Sequence, residues 1–374
     1  MGSSQPKILH FGLESAKNIK LAAKLVKWRK ICNFAAEFKC FFTMKKISKM
    51  LTAIAAMGMV AFSSCGQKAS TADVAAATED SIPTVYYIKD ITPENIIKVY
   101  ESLGRKAEGK NIGIKISTGE SNKSNHLDTA LIADFVRLVN GTFIECNTAY
   151  AGNRNTTEAH LQTAKEHGFT DLAGIDILDA EGEIELPVVG GKHLTKDIVG
   201  KNIENYDFIV VLSHFKGHQM GGFGGALKNI SIGLGSSAGK TYIHSAGKTS
   251  CVDSIWSNTA EQADFIESMA EAAKAVTDYT GEHILYINVA NRLSVDCDCN
   301  GNPEEPKMGD LGVFASLDPV ALDRACVDMV MNSDDPGKAD LIERINSRLG
   351  TLILDHAEEL GVGSQKYKLV TIEE

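Results

Sequence analysis

The chain has 374 residues, with 38 basic against 48 acidic side chains and a formal net charge of −10 at pH 7. Residues 1–65 hold 11 of the basic and 2 of the acidic residues, so the remainder carries 27 against 46, a net charge of −19. A body this acidic repels phosphate backbones, which excludes nucleic acid as a partner, and its length excludes a small disulfide-stapled scaffold.

Residues 1–43 are basic and show no folding pattern, and are read as a non-native upstream extension, with Met44 as the start. Met44-Lys45-Lys46 opens a short basic stretch, and residues 50–62 form an apolar run too short to span a bilayer. Phe62-Ser63-Ser64-Cys65 closes it and resembles the lipobox of a bacterial lipoprotein signal, with Phe62 where leucine is usual. This order predicts a signal peptide over 44–64, acylation at Cys65 and a lipidated tether over 65–82. The expected location is the periplasmic face of the cell envelope, with the lipid providing the membrane contact. Exported proteins meet oxidising conditions, so the later cysteines matter. There are five: Cys146, Cys251, Cys297, Cys299 and Cys326. An odd number cannot all pair, and Cys297 and Cys299 stand too close for a relaxed disulfide with each other, which leaves metal binding or thiol chemistry open for them.

The rest, residues 83–374, is expected to be one α/β domain. Strands are predicted over 84–89, 111–117, 142–146, 175–178, 208–212, 283–289 and 311–315, with 183–189 as a half-exposed strand or hairpin. Helices are predicted over 92–103, 127–139, 156–167 and 260–279, and from the cap Asp318 to 331. Residues 226–234 are a weaker helix because of their glycines. Such alternation predicts a doubly wound, mainly parallel sheet with helices on both faces.

The chemistry concentrates between Asp207 and Lys240. The run Phe208-Ile209-Val210-Val211-Leu212 is continuously apolar, as a parallel strand covered on both faces would be. If the chain stays extended beyond it, His214, Lys216 and His218 share one side. The glycines that follow let a ligand approach backbone closely, as loops at strand ends do in open α/β sheets. Neither nucleotide fingerprint fits. The dinucleotide pattern needs glycine where Leu227 stands, and the phosphate loop needs glycine where Leu234 stands.

His214-Phe215-Lys216-Gly217-His218, the run from Phe223 to Asn229, Gly239-Lys240 with His244, Cys297-Asp298-Cys299, and the stretch from Asp310 to Asp323 together resemble the domain of unknown function 362 family. Its members are often labelled iron-sulfur center proteins. Many relatives carry an insert of two ferredoxin-like cysteine runs that ligate [4Fe-4S] clusters. Here the corresponding interval, 245–260, holds only Cys251, so no ferredoxin-type cluster is expected. The resemblance implies no catalytic residues.

Two thiolates and two imidazoles would close a tetrahedral zinc or iron site, which makes His214, His218, Cys297 and Cys299 the candidate metal ligands. Lys216, Gly224, Gly225, Lys228, Asn229, Lys240 and His244 are candidates for binding an anion. His214, His218 and Lys216 are also the candidate acid-base groups. Three function classes follow: a metal- or redox-linked envelope protein, an enzyme acting on a small anion through His214 or His218, and a ligand-binding lipoprotein without chemistry. The shared metal site requires the loop after Leu212 to meet the Cys-Asp-Cys loop, as two loops at the carboxyl ends of parallel strands would, whereas an anion-binding loop does not depend on the meeting.

Overall fold

A computed structural model of the protein describes residues 82–373. The expected upstream extension, the signal peptide and Cys65 lie outside the described residues. The elements run β1 (Thr84–Ile88), α1 (Pro93–Ser102), β2 (Ile112–Lys115), α2 (Thr129–Val139), β3 (Thr142–Glu145), α3 (Thr157–Glu166), β4 (Ile175–Ile177), β5 (Glu183–Pro187) and β6 (Lys196–Gly200). They continue with β7 (Phe208–His214), β8 (Lys216–His218), β9 (Gly222–Gly224), α4 (Ala226–Leu234), α5 (Ser237–His244), α6 (Gln262–Thr280), β10 (Ile284–Ala290), β11 (Gly312–Ser316), α7 (Pro319–Asn332), α8 (Lys338–Ser347), α9 (Leu352–Glu359) and β12 (Lys368–Thr371).

Eight strands form one sheet in the order β12-β1-β11-β10-β7-β2-β3-β4. Only β11 runs against its neighbours, and every other adjacent pair is parallel. Strand alternation explains the continuous apolar run of β7. Ile209 and Val211 enter the core on one face, among residues of α4, α6, α7 and α9. Phe208, Val210 and Leu212 enter the other, with Ile96 and Val99 of α1 and Ile132, Phe135 and Val136 of α2. Helices therefore cover both faces, as parallel strands require.

The predicted strand over 183–189 is β5, which pairs antiparallel with β6 in a ribbon outside the main sheet. The sequence pattern did not predict β6, β8, β9, α5, α8, α9 or β12. Among the described residues, no helix is long and apolar enough to cross a membrane.

One capping arrangement fixes the glycine-rich turn. α4 begins after Gly225, which has no side chain to cap it, and Asp323 of α7 supplies the missing acceptor. Asp323 Oδ1 accepts from Ala226 N at 2.7 Å and Oδ2 from Leu227 N at 2.9 Å, while Asn288 Nδ2 of β10 donates to Oδ1 at 2.8 Å. A Cβ at position 225 would lie 2.3 Å from Asp323 Oδ1, so only glycine fits. Replacing Asp323 with alanine strands two amide N–H groups and a buried amide side chain. Urea unfolding of Asp323→Ala should show a loss of about 3 kcal/mol. A loss below about 1 kcal/mol would mean that the cap is dispensable.

Candidate functional site

β7 and β10 are parallel neighbours, with Ser213 opposite Asn288 and His214 opposite Val289. Their carboxyl ends therefore open on the same sheet edge, where open α/β sheets bind ligands. The chain stays extended past β7: Phe215 N donates to Val289 O at 2.9 Å, and β8 pairs with β9. Phe215 is buried in the core, so His214, Lys216 and His218 project to the opposite side. Gly217 N donates to Ser294 O at 2.8 Å. A Cβ on Gly217 would sit 2.4 Å from Val295 O, so this glycine lets the two loops touch.

Side chains then join them. Asp298 receives Lys216 Nζ on Oδ2 at 2.5 Å and His214 Nδ1 on Oδ1 at 3.0 Å. Cys299 Sγ lies 3.8 Å from His218 Nε2. Together the loops wall a cavity of about 490 Å³. It is lined by every metal and ligand candidate among the described residues: His214, Lys216, His218, Gly224, Gly225, Lys228, Asn229, Lys240, His244, Cys297 and Cys299.

The neighbouring strands bring charged residues that sequence reasoning did not assign. β2 ends in Lys115 and β3 in Glu145, and the loop after β3 carries Arg154. The available signal was a charge at the last position of each of two otherwise apolar runs, IGIK and TFIE. Arg154 Nε pairs with Glu120 at 3.0 Å, and its Nη1 lies 3.3 Å from Glu145. Thr118 N donates to Glu145 at 2.8 Å. Burial alone would raise the Glu145 carboxyl, but His160, then Arg154 and Lys115, outweigh it and hold the group well below the usual carboxylate range. Asp298 follows the same pattern, with Lys216 and His214 overcoming its burial.

The lysines differ in how they are satisfied. Lys216 is paired with Asp298, Lys115 donates to Ile116 O and Asn229 Oδ1, and Lys240 donates to Gly235 O. Lys228 has no hydrogen-bond or ion-pair partner among the described residues. Burial, and then Lys216, bring it down to about 7. Lys115 falls to about 8, chiefly through burial.

The histidines also separate. His214 has an acceptor at each ring nitrogen, Asp298 at Nδ1 and Asn291 O at 2.6 Å from Nε2, so neither nitrogen is free to meet a ligand. Burial, then Lys216, draws its proton affinity down, while Asp298 opposes them. His218 Nδ1 instead accepts from Gly221 N at 2.7 Å and Met220 N at 3.2 Å, which leaves its proton on Nε2, facing Cys299. His244 Nδ1 donates to Lys240 O at 2.6 Å, and its Nε2 has no partner among the described residues. Burial lowers His244 to about 4.

Two expectations are thereby corrected or narrowed. The sequence spacing argued against a bond between Cys297 and Cys299, yet the structure has that disulfide. The turn around Asp298 brings the two Cα atoms to 5.2 Å, within the ordinary range for a bridge. The proposed set of four metal ligands is not assembled, because His214 is held by Asp298 and Asn291. His218, Cys297 and Cys299 do bring their ligand atoms within 4.8 Å of one another, close enough to hold a metal ion. Thiolate ligands require the bridge to be reduced. A ligating His218 would also need its proton on Nδ1, where two N–H donors already point.

Several other histidines pack or pair away from the cavity. His126 stacks on His167 with centroids 4.2 Å apart, His193 meets Glu267, and His356 meets Glu271.

The fold and this cavity define an α/β protein with a cationic pocket at the carboxyl ends of its parallel strands. The chain belongs to the family described as Domain of unknown function (DUF362), whose model matches residues 112–328, a span that holds all the cavity residues named above. It is similar to the lactate racemase apoprotein from Thermoanaerobacterium thermosaccharolyticum at 17% identity and a TM-score of 0.33, covering 57% of this chain and 52% of that one. It is also similar to a protein of Thermotoga maritima solved by a structural genomics consortium, at 12% identity and a TM-score of 0.40, covering 66% and 61%. The chain thus spans about half to three fifths of these structures. No curated protein matches it.

Removing Asp298 tests how the loops are joined. Asp298→Asn leaves the Lys216 ammonium buried without its counter-charge, and should cost about 3 to 5 kcal/mol in chemical denaturation. Removing both partners, in Lys216→Met with Asp298→Asn, should recover part of that loss. The Asp298 carboxyl is lowered in the fold, so its contribution is complete above the ordinary carboxylate range. It is lost as pH falls below about 4. The acid limb of the stability profile should flatten in Asp298→Asn.

Proposed function

We propose that this is a lipid-anchored envelope protein whose folded part binds a small organic anion of the carboxylate or phosphate class in the strand-end cavity. The observation that carries the reading is Lys228, a lysine in the cavity wall without a partner among the described residues, beside cations already satisfied by carbonyls or carboxylates. Lys115, Lys216, Lys240 and Arg154 face Glu145 and Asp298 across the same cavity, so cations outnumber the carboxylates within an acidic protein. An anion beside Lys228 would gain a charge-assisted hydrogen bond and would supply the counter-charge that the protein withholds.

A second reading, an enzyme acting on that anion, is favoured by His244. Its Nε2 lone pair is unpartnered, whereas His214 and His218 have both nitrogens engaged. The acid-base role expected of His214 or His218 then passes to His244. Cys65, as an acylated residue, would supply the membrane contact.

Binding can be followed by calorimetry with a panel of small carboxylates and phosphates. Lys228→Met should weaken binding by about 10- to 100-fold, the equivalent of one hydrogen bond to a charged group. Because Lys228 lies near 7 in the free protein and a bound anion raises it, binding takes up a proton. Affinity should be full below about pH 7 and fall as pH rises above it. A flat profile, or unchanged affinity in Lys228→Met, would refute the reading. In cells, Cys65→Ala should move the protein from the membrane to the soluble fraction.

A further inference from the structure

We infer that Cys297–Cys299 is a redox-active disulfide that exchanges with small anionic thiols entering the cavity, and that Cys299 is the sulfur they attack. The inference rests on the anion-binding reading for its choice of substrate, but not for the exchange itself.

Four observations carry it. First, a bridge between residues two apart closes a minimal loop, and stabilisation by cross-linking grows with loop length, so holding the fold together is a poor account of this bond. Asp298, which lies between the two cysteines, already ties the loop to β7 and β8 through His214 and Lys216. Second, the bridge lies in the cavity wall, where Cys299 is half-buried and Cys297 is buried. A ligand therefore meets Cys299 first. Third, the Cys299 N–H donates to Cys297 Sγ at 3.2 Å, so a hydrogen bond is already placed on the sulfur that departs when Cys299 is attacked. Fourth, the proton on His218 Nε2 faces Cys299 Sγ at 3.8 Å, because two backbone N–H groups occupy Nδ1. That sulfur becomes the second thiolate.

The exchange balances without a further reagent. A thiolate RS⁻ attacks Cys299 Sγ, forms the R–S–S–Cys299 bond and breaks the Cys297–Cys299 bond, and Cys297 leaves as a thiolate. A second RS⁻ attacks the R sulfur, forms RSSR and releases Cys299 as a thiolate. The protons lost by the two incoming thiols end on the two cysteines. Two thiols are thus oxidised to one disulfide, and the pair is reduced by two electrons. Cys146 also lines the cavity but stays outside the exchange: burial pushes its thiol up to about 12, and it donates to Leu234 O at 3.1 Å.

The test follows reduction of the full-length folded protein at pH 7 by 2-mercaptoethanesulfonate, 2-mercaptoethanol and cysteamine, which are anionic, neutral and cationic thiols. Alkylation and peptide mass mapping read the state of each cysteine. Each rate is normalised to the same thiol's rate on a free small disulfide. The expected result is reduction of Cys297–Cys299 within the folded state, at least tenfold faster with the anionic than with the cationic thiol. Lys228→Met should erase that preference. In Cys297→Ser, the disulfide of 2-mercaptoethanesulfonate should form an adduct on Cys299. In Cys299→Ser, adduct formation on Cys297 should be at least tenfold slower.

Failure of all three thiols to reduce the folded protein overturns the inference, even if anions bind. Equal adduct rates on the two cysteines also overturn it. Purification with two free thiols holding zinc or iron overturns it in favour of a metal site. Reduction without any charge preference upholds the exchange and removes the anionic specificity.

Discussion

The buried carboxylate of Asp298 joins the two halves of the site. It belongs to the loop after β10, and its partners, His214 and Lys216, belong to the end of β7 and to β8 respectively. Each of the three would be expensive to bury alone, and together they satisfy one another. Asp298 also sets the geometry of the residues beside it. Cys297 and Cys299 are carried into the cavity wall because the residue between them is pinned to the neighbouring strand. The parallel pairing of β7 with β10 makes this possible, since it brings residues more than 80 positions apart to the same sheet edge.

The same logic extends across the sheet. β3, β2, β7 and β10 are consecutive neighbours in parallel, and each delivers ionisable groups at its carboxyl end: Glu145, Lys115, the His214 to His218 run, and the loop of Asp298. Behind these ends the strands are apolar on both faces, so charge is confined to one edge of the sheet. Burial penalises every one of these charges: neighbouring cations outweigh it for Glu145 and Asp298, whereas for Lys115, His214 and Lys216 burial prevails. Lys228 is the group left over. In a protein with a strongly negative remainder, a cavity that keeps a lysine without a partner among the described residues runs against the general trend of its own composition.

Much of this was legible in the sequence, for physical reasons. Apolar runs such as FIVVL report burial directly, and Asp318 followed by proline reports a helix start. For α2 the helix was legible but not its buried face, since the buried residues include Ile132, Phe135, Val136 and Val139 while Leu138 is exposed. The shared edge of the two loops follows from two parallel strands. What was not legible depends on distant partners. Ser237–His244 has too many polar and small residues to show a helical stripe, and the strand Lys196–Gly200 shows only in its pairing with Glu183–Pro187. The Cys297–Cys299 bond depends on how Asp298 turns the chain, and sequence separation carries no such information. Lys115 and Glu145 would read as strand ends, and only the folded sheet shows that they face one cavity.

The three cavity histidines show why residue type alone could not assign roles. His214, His218 and His244 look equivalent in the sequence, each next to a glycine or a serine. What separates them is the group at one ring nitrogen. A carboxylate and a carbonyl occupy both ring nitrogens of His214 and leave neither open to a ligand. Two backbone N–H groups make His218 Nδ1 an acceptor and send its proton toward sulfur. A helix carbonyl holds the His244 proton on Nδ1 and leaves its other nitrogen open to the cavity. The second contact of each ring thus decides whether the first can bind a proton, donate one or meet a ligand. Those second contacts come from backbone at residues 220–221, 240 and 291, so the chemistry of the site is set by the fold around each histidine.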